Sequence, residues 1–225
     1  MLNSGIDVLF QGINLQRLLL GLWVTARIAL ISIILSFFFG ILFGVLRTTA
    51  PKAVKVILRL YLELFRIIPI LVWLFVFYFV LPADFEINLS AEVVSILVFS
   101  LWGAAEMSDI VRGSIISLPV HQAESGKALG LSVWQLYRYV LIPQAMKRTL
   151  PPAINLATRL IKTTALLVMI GVIEVIKVGQ QIIEQSSTEY PTAAFWVYAF
   201  IFVLYFIICY PLSAVSRSLE RKWAA

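Results

Sequence analysis

The sequence has one cysteine and one histidine among its 225 residues, and only 13% of those residues are charged. One cysteine excludes a disulfide framework, and Cys209 lies in an apolar run rather than beside a base. One histidine leaves no metal-ligand cluster and no Ser-His-Asp set, so an enzyme has nothing to work with here. Soluble domains carry about 25% charge, and a chain with half of that has too little polar surface for an ordinary water-soluble fold. A nucleotide-binding loop is missing too. The segment HQAESGKALG (His121–Gly130) comes nearest, but that motif needs Gly, four residues, then Gly-Lys-Ser/Thr. The first position holds His121, and Ala128 stands where the magnesium-binding hydroxyl belongs. A signal peptide is not expected, because polar residues precede the first apolar run and no small-residue cleavage site follows it.

What is present is hydrophobicity: 61% of the residues are hydrophobic and the mean hydropathy is +0.95. Five apolar segments stand out, at about 18–46, 56–81, 93–111, 150–172 and 193–215. The cleanest stretch, Ile28–Leu46, has no charge and as a helix spans about 28 Å, the thickness of a bilayer core. Soluble helices of this length show a polar face, and these show almost none. The pattern predicts an all-α polytopic membrane protein: five transmembrane helices in one domain over residues 1–225, with a polar loop at about 113–148 between spans three and four.

The net charge of +6 is spread over loops. Arg47, Lys52, Lys55 and Arg59 follow span one; Asp84, Glu86 and Glu92 follow span two. The third connection holds Arg112, Lys127, Arg138, Lys147 and Arg148 against Glu124; in the fourth, Glu174, Glu184 and Glu189 outnumber Lys177. Arg217, Arg221 and Lys222 end the chain. The alternation puts the N-terminus outside and the C-terminus in the cytoplasm. It also excludes nucleic acid as a partner, since no single face collects the charge.

Within the long third connection, Pro119 and Gly130 bracket a short polar helix, as Pro and Gly do at helix ends. A second short helix follows, N-capped by Ser132, carrying Trp134, Tyr137 and Tyr139 as interface anchors, and ending at Pro143. The first helix is rich in small residues: Ala123, Ser125, Gly126 and Ala128. Gly126 costs a helix about 1 kcal/mol against alanine. Close approach by a partner is one reason to keep it; a solvated helix without a partner is the other reading.

Several motifs in the chain resemble the permease subunits of polar amino acid ABC importers. ELFRIIP (Glu63–Pro69) is similar to the family's ELFRGTP, SDIVRGSI (Ser108–Ile115) to AEIVRGGI, and KTTALLVMIGVIEV (Lys162–Val175) to KDTSLVSVIGVxEL. The stretch from Ala128 to Asn155 follows the family signature closely. Glu124 to Gly130 occupy the Glu-Ala-Ala, three residues, Gly pattern of the cytoplasmic coupling loop, with Ser125 and Gly126 in place of the alanines. The resemblance implies that His121, Ala123, Glu124, Ser125, Gly126, Ala128 and Gly130 belong to a coupling helix docking on an ATPase. It implies further partners: a pair of ATPase subunits that bind ATP and Mg, a second permease chain, an extracytoplasmic substrate-binding protein and a polar amino acid. This chain itself carries no cofactor. Two departures, Thr163 for an aspartate and Glu106 for an aromatic residue, leave the substrate open: another small solute, such as an opine or a dipeptide-sized compound, is the alternative within the class. A non-transporting scaffold or sensor on the same five spans is the alternative outside it.

Individual residues allow paired readings. Gly40 and Gly44 form a GxxxG pair, either for a permease dimer or for packing within the chain. Pro69 is expected to kink span two. Glu63 with Arg66 and Asp109 with Arg112, each three apart, are expected to form local ion pairs. Glu106 lies about 20 Å along span three, where an ionisable group faces a cavity or a partner. Asn155, Arg159, Lys162 and Thr163 share a helical stripe in span four. Glu106 with Arg159, Lys162 and Thr163 either binds a zwitterionic substrate or neutralises buried charge by pairing Glu106 with Arg159 or Lys162.

Overall fold

The computed structural model describes residues 5–224; of the expected domain at 1–225, residues 1–4 and 225 lie outside the described residues. The described residues are helical, with no strand. A short 3-10 turn, Gly5–Leu9, precedes α1 (Asn14–Thr49). There follow α2 (Lys52–Ile67), α3 (Ile70–Phe85), α4 (Ala91–Ile116), α5 (Val120–Ala128), α6 (Val133–Ile170), α7 (Val175–Ser186) and α8 (Ala193–Ala224). Four of these, α1, α4, α6 and α8, are long and apolar enough to cross a membrane, and α2 with α3 makes a fifth crossing if the pair is one broken span.

Two expectations about helix breaks are corrected. Pro69 does more than kink span two. Ile68 is extended (φ −83°, ψ 127°), so α2 stops there, as the residue before a proline is driven out of the helical region. The helix beginning at Val133 does not end at Pro143: it continues into span four as α6, through a π-helical turn at Leu136–Leu141. A widened turn just before the proline is how a helix passes a residue without an N–H. Span four thus starts earlier than the expected residue 150, and α7 is a helix where only a loop was expected.

The chain forms two compact units. The first takes the described part of Met1–Ser32 with Ile70–Phe99 and Arg159–Pro211. Its core gathers Val8, Leu9, Leu18, Val175, Val178, Ile182, Val197 and Ile201. The second takes Ile33–Pro69, Ser100–Thr158 and the described part of Leu212–Ala225. Here the GxxxG pair works within the chain: a Cβ on Gly40 would overlap Met107, and one on Gly44 would lie 2.6 Å from Val111 Cβ. The glycines let α1 lie directly on α4, which answers the question the spacing left open. Tyr61 of α2 donates its hydroxyl to the Leu101 carbonyl of α4 and packs edge-on against Phe43 of α1. Ser216 of α8 donates to the Pro151 carbonyl of α6 at 3.0 Å.

Candidate functional site

The second unit holds two arrangements with functional character. One is the α5–α6 hairpin. Pro119 (φ −60°, ψ 132°) precedes the first turn of α5. Gly130 (φ +76°) ends it in the left-handed region, with Leu131 N donating to the Gly126 carbonyl at 3.1 Å and Gly130 N to the Lys127 carbonyl at 2.9 Å. Ser132 caps α6 in a reciprocal box with Gln135: Gln135 N donates to Ser132 Oγ, and Ser132 N to Gln135 Oε1. The expected caps are therefore present.

The reason for Gly126 lies inside the chain. Gly126 is buried, and a Cβ there would sit 2.6 Å from Leu136 Cδ1. The notch receives Leu136, which is 3% exposed, and closes α5 against the start of α6. A polar tie reinforces the contact, Gln144 Nε2 donating to Gln122 Oε1 at 3.3 Å, and Arg148 of α6 also donates to the carbonyl and hydroxyl of Ser117 in the turn before α5. The remaining expected coupling residues divide by side. His121, Glu124, Ser125, Ala128 and Gly130 are exposed, and Ala123 is half-buried. Around them the hairpin presents Val120 (73% exposed), Leu129 (81%), Val133 (68%) and Trp134 (66%). The hairpin thus leaves apolar and small residues exposed on one side while its inner side is packed.

The other arrangement is a cleft of about 440 Å³, lined by the charged and hydroxyl side chains of Arg66, Glu106, Asp109, Ser114, Ser117 and Arg148 together with Ile110, Gly113 and Pro152. Its charges do not pair as the local spacing led one to expect. Arg66 reaches across from α2 to Glu106 at 3.5 Å and to Asp109 at 3.2 Å. The other oxygen of Asp109 meets Arg47 of α1, whose side chain is 8% exposed, at 3.2 Å. Glu63 lies 4.0 Å from Arg59 instead. Glu106 and Asp109 stand one turn apart on α4, so one guanidinium serves both carboxylates. The sequence reading missed this role for Arg47 and Arg66; the i, i+3 acid pair inside an apolar span was the available signal. The cleft sets carboxylates beside guanidinium groups at a volume ample for an amino acid, and it can present both charges to a zwitterion.

In the first unit, α6 exposes Arg159 and Lys162 while burying Leu160 and Ile161; Thr163 is half-buried and commits its hydroxyl to the Arg159 carbonyl at 2.8 Å. Asn155, the earlier member of the same stripe, is exposed in the second unit and donates to Glu220 at 3.4 Å. Cationic residues exposed on a membrane helix face a cavity or another protein rather than lipid. Glu174, counted from sequence as a loop acid, is fully buried. Its carboxylate caps α7, accepting from Ile176 N and Lys177 N at 2.9 Å each, with the Thr25 hydroxyl at 3.4 Å. Burial raises its pKa, and these hydrogen bonds oppose the rise.

Comparison with known proteins agrees with this architecture. Residues 36–225 match the family described as "Binding-protein-dependent transport system inner membrane component". The chain is 33% identical over 217 residues to the "Probable glutamine ABC transporter permease protein GlnP" of Bacillus subtilis (strain 168), covering 95% of this chain and 98% of that protein. It is 30% identical over 214 residues to the "Glutamate/aspartate import permease protein GltJ" of Escherichia coli (strain K12), covering 90% of this chain and 85% of that protein. Among solved structures, "Crystal structure of an amino acid ABC transporter with histidines" superposes with a TM-score of 0.82 at 25% identity, covering 92% of this chain and 94% of that one. A multi-pass helical chain that matches this family over most of its length is a member of the binding-protein-dependent transport system inner membrane component family.

Proposed function

We propose that this chain is the permease subunit of an ATP-driven importer for a polar amino acid, with ATP and Mg bound and hydrolysed by a separate pair of ATPase subunits. One observation carries the reading: similarity over nearly the whole chain to permeases whose names specify glutamine and glutamate/aspartate import. The basic ends of the apolar spans support an external N-terminus and a cytoplasmic C-terminus. A second permease chain and an extracytoplasmic binding protein complete the assembly.

The mechanism follows from the hairpin. An ATPase that grips the exposed side of α5 moves more than a loop. Leu136 in the Gly126 notch and Gln144 on Gln122 tie α5 to α6, and Arg148 holds Ser117 in the turn that leads into α5, so displacement of the docked helix is transmitted along the span. Glu106 offers a carboxylate to a polar solute in the second unit's cleft, and Arg159, Lys162 and Thr163 offer polar contacts in the first unit. Each is proposed as lining the path in its own unit.

The test is Gly113→Leu. No atom lies within 4 Å of a Cβ at Gly113, which borders the cleft, so the added side chain enters open space. The expected result is normal insertion and normal ATPase copurification with amino acid uptake reduced at least tenfold. Uptake at the wild-type rate overturns the cleft as part of the path.

A further inference from the structure

A second cleft of about 380 Å³ opens where α2 meets the ends of α1 and α4. Its lining is strongly basic: Arg47, Lys55, Arg59, Arg66 and Arg112 against the two acids Glu63 and Asp109. The ion pairs already described engage Arg47, Arg59 and Arg66 with those acids and Glu106. Among the described residues, Lys55 and Arg112 form no ion pair. Two cations without a counter-charge thus line one concave site, where their mutual repulsion is relieved by an anion from outside the chain.

The adjoining surface says what kind of anion. On α2, Val56, Ile57, Leu60 and Leu64 are 50–65% exposed at helical spacing, a stripe of bare apolar side chains flanking the basic one. A soluble phosphate has no use for that stripe; an acyl chain attached to a phosphate does. Basic pockets between membrane helices take anionic headgroups. We infer that this cleft binds the phosphate headgroup of an anionic phospholipid, held by Lys55 and Arg112, with its acyl chains along the outer side of α2. The inference rests on the membrane reading of the chain and is independent of the transported substrate.

The test uses the purified full-length chain in detergent micelles, titrated with phosphatidylglycerol or phosphatidylcholine and read by native mass spectrometry. The wild type is expected to retain phosphatidylglycerol in preference to phosphatidylcholine. Lys55→Gln with Arg112→Gln is expected to weaken phosphatidylglycerol binding about 10- to 30-fold, the effect of two basic residues at a surface. Lys222→Gln, at the far end of α8 and outside the cleft lining, is expected to leave it unchanged. Either single variant is expected to weaken binding several-fold, which keeps the test available if the double variant folds poorly. Equal retention of the two lipids, or undiminished phosphatidylglycerol binding in the variants, overturns the inference. So does full displacement by millimolar inorganic phosphate, which assigns the cleft to a soluble anion. Loss of chain dimers rather than of lipid in the double variant also overturns it, by assigning the cations to a second copy. A failed uptake assay leaves the lipid result standing.

Discussion

Gly126 offers the sharpest perturbation, because two explanations for it predict opposite behaviour of a double mutant. If the glycine is there to receive Leu136, then Gly126→Val introduces a Cβ 2.6 Å from Leu136 Cδ1, about 1 Å inside normal carbon contact. Overpacking of this kind costs about 1–3 kcal/mol, offset by a few tenths from better helix propensity. Leu136→Ala removes a side chain that is 3% exposed, at a cost of about 2–4 kcal/mol. In the double mutant the valine occupies space the leucine vacated, so the two losses should fall short of their sum by about 1–2 kcal/mol. The assay is thermal melting in detergent, where each kcal/mol moves the midpoint by about 2–4 °C for a chain of this size, together with ATPase copurification. Partial recovery of both readouts in the double mutant is expected. Strict additivity, or loss of copurification by Gly126→Val that Leu136→Ala does nothing to relieve, refutes the packing account and returns Gly126 to the docking surface.

Three further outcomes follow from the same contacts. Asp109→Asn weakens the charge partner of Arg47 and Arg66 and should lower stability by about 1.5–3 kcal/mol, read as a drop in the melting midpoint that Arg66→Gln, on the exposed side of the pair, only partly reproduces. Gly40→Leu should abolish folded protein in the membrane, since Met107 and the Ala104 carbonyl occupy the space the side chain needs; Gly113→Leu serves as the tolerated comparison on an immunoblot. Glu174 is held above its ordinary value near 4.5 by burial, so the folded state binds the extra proton. Its contribution is intact below that value and is lost as pH rises toward the folded pKa; melting curves across this range should show that decline in the wild type and a flatter profile in Glu174→Gln.

The spans were legible because apolar runs of bilayer length have few other uses, and the ends of α5 and the start of α6 because Pro119, Gly130 and Ser132 act through local backbone chemistry. The charge network was not. Helical spacing gave Arg66 an acid on its own helix, Glu63, and gave Asp109 the neighbouring Arg112, but tertiary packing set two carboxylates of α4 around one arginine of α2. Pro143 read as a stop because a proline normally breaks the ladder, and the π-helical turn that lets α6 continue leaves no mark in composition. Gly126 carried a correct signal, that something must come close, without saying whether that something was a partner or Leu136. Glu174 passed as a loop acid because glutamate is a weak cue for a helix start, although the apolar spacing Val175, Val178 and Ile182 behind it marked a buried helix face.

The central claim is that this chain moves a polar amino acid inward when an ATPase acts through α5. The direct measurement is uptake of radiolabelled glutamine and glutamate into proteoliposomes holding the chain with its second permease chain and ATPase, with the binding protein outside and ATP inside. The account predicts ATP-dependent accumulation of at least one of them that needs the binding protein. Steady ATP hydrolysis with no accumulation of either, or accumulation that persists without ATP, contradicts it.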